Sequence, residues 1–393
     1  MLYLLKFAAF ASNIIALLSA IWIVVPAPHP YLWLFSVAAS EWSLWLAALA
    51  LGGIVSALAV RRFESSNFWV VLMIAGIAAL LISLYPPISA ISVAANEKVS
   101  LSLKRYFSAI SPAQSATENF QTYTFAQIGG QDLQMDVYAP TAANANNGAG
   151  IVVVHGGSWR GGVRDDFPQW NEWLAANGFT VFDVDYRLTQ PNYQTATGDV
   201  KCAVRQVKNH AAEFDIATDR IALLGRSAGA HLALLAAYSA GDARFPATCA
   251  EDAQTDETVR AVVSLYAPVD LLWAFDNPAN EAVIDGKATL ADFLGGNPHE
   301  SNEMRERYVS ASPLSHVSAA TPPTLLIHGG HDQLVRSENM RFLDERLTQA
   351  NVPHQTIFIP YAQHGFDYNF YGFGSQIAQP AMLDFLNRYT AVK

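Results

Sequence analysis

The sequence predicts an α/β fold, a mostly parallel sheet with helices on both faces, preceded by a three-helix transmembrane region. Two observations predict it. From about residue 120, short apolar runs alternate with longer amphipathic segments, the pattern of parallel strands joined by crossover helices. Three long uncharged stretches crowd into the first 85 residues, each long enough to cross a bilayer.

Residues 1–93 form the transmembrane region. The first span, 7–25, has 19 positions without a charge and covers roughly 29 Å as a helix. Pro26, Pro28 and Pro30 end it. A second span, 42–60, extends back toward Tyr31 and is closed by Arg61 and Arg62. A third, 68–85, is expected to stop at Pro86 and Pro87. Trp22, Trp33, Trp42, Trp69 and Tyr85 lie near the ends of these stretches, where amphipathic rings prefer the interface. A cleaved signal peptide is the rival reading of the first span, and two further spans directly downstream weigh against it. Arg61 and Arg62 favour a cytoplasmic second loop and an outward-facing C-terminal domain, whereas Lys98, Lys104 and Arg105 pull the other way. The expectation is an integral protein of a bacterial inner membrane with that domain outward.

Residues 94–119 have mixed polarity and read as a juxtamembrane linker, and residues 120–393 as one domain with an insertion at 271–307. Segments 119–126 and 133–138 read as an antiparallel pair around Gly129-Gly130, and 141–150 as a short Ala/Asn/Gly turn. Strands follow at 150–154, 180–184, 220–224, 261–266, 324–328 and 355–359. Helices are expected at 166–177, 199–214, 338–349 and 379–390.

Of the formal net charge of −10, the first 95 residues carry +1 (Lys6, Arg61 and Arg62 against Glu41 and Glu64), leaving −11 on the rest. Such a surface repels phosphate backbones, which argues against nucleic acid as a partner. Attachment to the lipid bilayer must then come from apolar insertion. Cys202 and Cys249 stand outside any CxxC pair. Two buried free thiols are the simpler expectation, with one disulfide open in an oxidising compartment.

Gly225-Arg226-Ser227-Ala228-Gly229 fits G-x-S-x-G between an expected strand and helix. The tight turn needs small flanking residues and thrusts the serine out at the sheet edge, near a helix N-terminus. A serine nucleophile needs a base, and His364 after the last strand stands in the right place. His231, one turn into the helix after Ser227, reads as a packed structural residue. Asp332, after the preceding strand, fits the carboxylate that orients the base, ahead of Asp270 and Asp367. His155-Gly156-Gly157-Ser158-Trp159 follows the strand at 150–154. Backbone N–H groups of Gly156, Gly157 and Ala228 are the expected oxyanion donors. His328, His331 and Asp332 offer too few ligands for a metal site.

HGGSW (155–159), DYRL (185–188), DRIALLGRSAGAHLA (219–233), HGGHDQLV (328–335) and QHGF (363–366) together resemble the bacterial carboxylesterase side of the α/β-hydrolases. Within it the similarity is to hormone-sensitive-lipase-like esterases and the feruloyl-esterase-like branch; kynurenine formamidases share the HGG-x-W loop. Arg226 stands where the hormone-sensitive-lipase-like group commonly has an acidic residue, favouring the other branch. The resemblance covers roughly 120–390 and implies a Ser-Asp-His triad, an oxyanion loop and no cofactor.

The expected function is hydrolysis of a small-molecule carboxylic ester through an acyl-enzyme on Ser227. Alternatives are an acyltransferase or formamidase with the same triad, or a non-catalytic membrane scaffold. Ser158, Trp159, Arg226, Trp273, Phe275 and Phe293 are candidate pocket residues.

Overall fold

Residues 2–20 contain neither proline nor glycine, so nothing interrupts a helix there. The computed structural model describes residues 2–63, 67–108, 120–140, 146–249 and 256–391. In it α1 spans Leu2–Ala20 and tightens into a 3-10 turn over Ile21–Ile23. Pro30 opens α2 (Pro30–Glu41), where a missing N–H costs nothing. The chain breaks at Trp42 before α3 (Ser43–Arg61), so the second apolar helix does not extend back to Tyr31.

The third stretch departs most from expectation. α4 (Phe68–Asn96) runs through Pro86 and Pro87 instead of ending there. Both prolines are buried, and Ala90 and Ala94 beyond them join the core of the following domain. Tertiary packing thus offsets the two backbone hydrogen bonds that prolines cannot make. α1, α3 and α4 are each long and apolar enough to cross a membrane. They meet through small residues, among them Ala9, Ala16, Ala50, Ala57 and Ala79, which lets helices approach closely. A Cβ at Gly53 or Gly76 would fall 2.5 or 2.1 Å from the buried amide oxygen of Asn13, so a larger residue there would push that side chain aside.

The expected linker is structured as far as it is described. α5 (Leu103–Ser108) buries Tyr106, whose ring stacks 4.5 Å from Phe373. Ser102 N–H donates to Gln376 Oε1 at 2.7 Å. Residues 109–119, and 141–145 of the expected turn, lie outside the described residues.

β1 (Gln121–Ile128) and β2 (Gln131–Tyr138) form an antiparallel hairpin through Gly129 and Gly130, both at positive φ, as a two-residue turn requires. The chain continues through β3 (Gly150–Val154), α6 (Pro168–Ala176), β4 (Thr180–Val184), α7 (Tyr193–Asn209), β5 (Ile221–Arg226), α8 (Ala228–Tyr238) and β6 (Ala261–Leu265). The insertion supplies α9 (Leu271–Asp276), α10 (Gly286–Leu294) and α11 (Asn302–Ser310). β7 (Thr324–Gly329), α12 (Glu338–Gln349), β8 (His354–Ile359) and α13 (Phe373–Thr390) complete the described chain.

The eight strands lie in the order β1-β2-β4-β3-β5-β6-β7-β8, antiparallel up to the β2–β4 pair and parallel from β4 onward. β3, β4, β5 and β6 are buried along their whole length, which explains the continuous apolar run of β3; the buried Asp183 of β4 accepts from Asn171 Nδ2 at 2.6 Å. α7 and α8 pack on one face, while α6, α13 and the end of α4 pack on the other. Cys202 and Cys249 form a disulfide, correcting the expectation of two free thiols. This is the α/β-hydrolase architecture, and it brings the loops after β3, β5, β7 and β8 to one edge.

Candidate active site

Ser227 sits between β5 and α8 at φ 55° and ψ −121°, a strained conformation for a residue with a side chain. A Cβ at Gly225 would lie 2.4 Å from the Gly229 carbonyl oxygen, and one at Gly229 2.2 Å from that of Val154. The glycines of G-x-S-x-G are therefore demanded by close backbone approach.

His364 Nε2 lies 2.9 Å from Ser227 Oγ, and His364 Nδ1 lies 2.7 Å from Asp332 Oδ2. Asp332 Oδ1 accepts from the N–H groups of Leu334 and Val335, each at 2.8 Å. His328 Nε2 stands 3.2 Å from Oδ2. Burial would raise the Asp332 carboxyl, but His364 and His328 beside it hold it below the ordinary carboxylate range. An ionised carboxylate only accepts, so the His364 proton belongs on Nδ1 and Nε2 is free to accept from Ser227. His331, the other histidine of this loop, turns away and donates from Nδ1 to the Ile23 carbonyl at 2.9 Å.

The loop after β3 lies against this serine: a Cβ at Gly156 would be 3.4 Å from Ser227 Cβ. Gly157 has φ 108°, and a Cβ there would fall 2.1 Å from the Gly161 carbonyl oxygen. Tyr186 holds the loop, its hydroxyl donating to the carbonyls of His155 and Gly156 at 3.3 and 3.2 Å. Ala228 is the first residue of α8, where backbone N–H groups lack helical partners.

A cavity of about 70 Å³ opens beside Ser227, walled by Ser158, Trp159, Trp273, Leu290, Leu334 and Val335. Three expected pocket residues do not line it. Phe293 is fully buried and stacks behind Trp159, ring centres 4.2 Å apart. Phe275 packs in the core against Tyr308. Arg226 points into the interior, ion-paired to Asp367 at 2.6 Å, with its guanidinium 4.1 Å from the Phe167 ring centre.

Tyr266, Gln333 and Gln363 of this neighbourhood were not singled out from the sequence. Tyr266 places its ring 4.4 Å from the His364 imidazole and donates its hydroxyl to Asp367 Oδ1 at 2.6 Å. Gln333 and Gln363, the neighbours of Asp332 and His364, are joined at 3.0 Å. Trp159 Nε1 donates to His231 Nδ1 at 3.2 Å, and His231 Nε2 lies 2.8 Å from the Ala311 carbonyl. Burial lowers the His231 imidazole to about 4, so it is neutral at physiological pH. A glutamine beside a candidate acid carries no local signal.

Among curated relatives, the chain is 31% identical over 217 residues to the probable carboxylic ester hydrolase LipM of Mycobacterium tuberculosis, covering 54% of this chain and 48% of that protein. It is 32% identical over 226 residues to esterase LipC of the same organism, covering 55% and 53%. The chain thus spans about half the length of these relatives. Among solved structures, the propionate-bound Est2 esterase of Thermogutta terrifontis superposes with TM-score 0.54 at 23% identity, over 70% of this chain and 94% of that one, a likeness of fold. The BD-FAE family profile matches residues 135–347, more than half of the chain. On that match the chain belongs to the BD-FAE family.

Proposed function

We propose that the protein is a membrane-anchored serine hydrolase that cleaves carboxylic esters through an acyl-enzyme on Ser227. The observation that carries this reading is the relay from Ser227 Oγ through His364 to Asp332, at 2.9 and 2.7 Å. Ser227 Oγ attacks the ester carbonyl carbon while its proton passes to His364 Nε2. The resulting oxyanion accepts from the N–H groups of Ala228 and of Gly156 or Gly157. Collapse expels the alcohol, which takes the proton from His364. Water then gives a proton to His364 and attacks the acyl carbon, and the acid leaves as Ser227 regains its proton. Asp332 stabilises the imidazolium at each stage.

A cavity of about 70 Å³ is roughly half the size of one that holds benzene, about 150 Å³, so it suits an acyl group of about two to four carbons. In the full-length protein in detergent, short-chain nitrophenyl esters should release nitrophenol, and Ser227→Ala should abolish this. Undiminished turnover by that variant would refute the assignment.

The outward faces of α1, α3 and α4 expose Phe7, Leu18, Leu51, Val55, Val71 and Ile74, which supports insertion in a bilayer. The Cys202–Cys249 disulfide supports an oxidising compartment for the catalytic domain, in line with a cytoplasmic Arg61-Arg62 loop. A reporter active only outside the cytoplasm, fused after Lys393, checks this orientation.

A further inference from the structure

The segment between α1 and α2 is built into the loops that carry Asp332 and His364. Gln333, next to Asp332, is 8% exposed and makes four side-chain hydrogen bonds. Its Oε1 accepts from the Ala27 N–H at 2.7 Å and from Asn280 Nδ2 at 2.9 Å. Its Nε2 donates to Gln363 Oε1 at 3.0 Å and to Ser36 Oγ of α2 at 3.4 Å. Gln363 precedes His364, so one side chain ties the neighbour of the acid to the neighbour of the base. Asn280 closes the node, donating from Nδ2 to the Ala27 carbonyl at 2.7 Å and from its N–H to the Gln333 carbonyl at 3.1 Å. Asn277, Pro278 and Ala279, just before it, wall the cavity beside Ser227. A second tie runs from His331 Nδ1 to the Ile23 carbonyl, with the Tyr85 ring of α4 5.7 Å from the His331 ring.

An anchor that only tethers needs a connection at one end of the domain. Here Ile23, Ala27, Ser36 and Tyr85, all from the N-terminal region, meet His331 and Gln333 on either side of Asp332, and Gln333 passes the contact on to Gln363. Glutamine suits the node because it offers an acceptor and a donor at one tip. Left unpaired, those buried groups would be costly.

We propose that the α1–α2 segment is a structural part of the active site, and that Gln333 is the positioning residue carrying its support to Asp332 and His364. This rests on the reading of Ser227, Asp332 and His364 as the catalytic set. A shift of about 1 Å in such a set costs on the order of 100-fold in rate.

The test uses full-length protein in phosphatidylcholine vesicles, a short-chain nitrophenyl ester and a fluorophosphonate probe. Gln333→Met keeps the length of the side chain and loses all four bonds. It should lower kcat on the order of 10- to 100-fold with KM within about threefold, and slow labelling of Ser227 in parallel while its stoichiometry stays full. A merely structural role would lower the unfolding temperature yet leave kcat per labelled site at the native value, and that result overturns the proposal. Should Gln333→Met fail to fold, Asn280→Ala removes one arm of the node at a half-buried position. It should lower kcat about three- to tenfold, and a native kcat in it equally overturns the proposal. Retained turnover in Ser227→Ala would instead sink the underlying hydrolase reading.

Discussion

Arg226 and Asp367 form a buried ion pair, Nε to Oδ2 at 2.6 Å, that joins the residue before Ser227 to the turn after His364. Asp367 Oδ1 accepts from Tyr266, and its carbonyl accepts from Trp170 Nε1 at 2.9 Å. The serine turn and the histidine loop are thus fastened to each other through Asp367. Asp367→Asn keeps the shape but leaves the Arg226 charge unpaired, which should cost about 3–5 kcal/mol of stability. Thermal unfolding in detergent checks this. The double variant Arg226→Met/Asp367→Leu should recover most of the loss, because removing both charges removes the desolvation penalty.

Asp332→Asn separates orientation from binding. An asparagine amide facing His364 Nδ1 would donate to it, moving the imidazole proton to Nε2 and leaving nothing to accept from Ser227. We expect kcat to fall on the order of 10⁴-fold with little change in KM, read from steady-state ester hydrolysis. The native carboxyl is held below its ordinary value. Its contribution to stability is therefore complete above the unfolded pKa of about 3.9 and is lost only as pH falls further.

What was legible in the sequence was local. Gly225 and Gly157 mark backbone approaches to Gly229 and Gly161, each four residues further on, and β3 shows as an unbroken apolar run. What escaped depends on distant partners. Arg226 read as a pocket residue because its partner lies 141 positions away. Pro86 and Pro87 read as a helix end because their compensation comes from the sheet domain packed against the end of α4. α7 starts at Tyr193, ahead of the expected 199, and holds Gly198 inside it, where a Cβ would meet the Pro246 carbonyl oxygen at 2.5 Å. There glycine serves packing and does not end the helix. Cysteine pairing across 47 residues likewise has no signature along the chain.

His231 should make stability depend on pH. Burial lowers its folded pKa to about 4, against an unfolded value of about 6.5. The unfolded chain then binds the proton first as pH falls, so the contribution is complete above about 6.5 and is lost progressively toward 4. Its full size is on the order of 3 kcal/mol. His231→Gln should flatten the fall in unfolding temperature between pH 7 and 4.5. An unchanged slope would show that His231 is not the group responsible.

Gly157→Ala tests the loop after β3 as a source of oxyanion donors. Its φ of 108° is one that side-chain-bearing residues rarely adopt, and the new Cβ would fall 2.1 Å from the Gly161 carbonyl oxygen. The loop must shift, carrying the N–H groups of 156 and 157 away from Ser227. Loss of one such donor costs about 10²–10³ in kcat, and KM should change little because the donors act on charge that develops in the transition state. Gly161→Ala is the matched control, since a Cβ there meets only the Gly157 carbonyl oxygen at an ordinary 3.7 Å; its rate should stay within a few-fold of native. Equal rates for the two variants would remove residues 156 and 157 from the oxyanion site and leave the N–H of Ala228 as its remaining proposed donor.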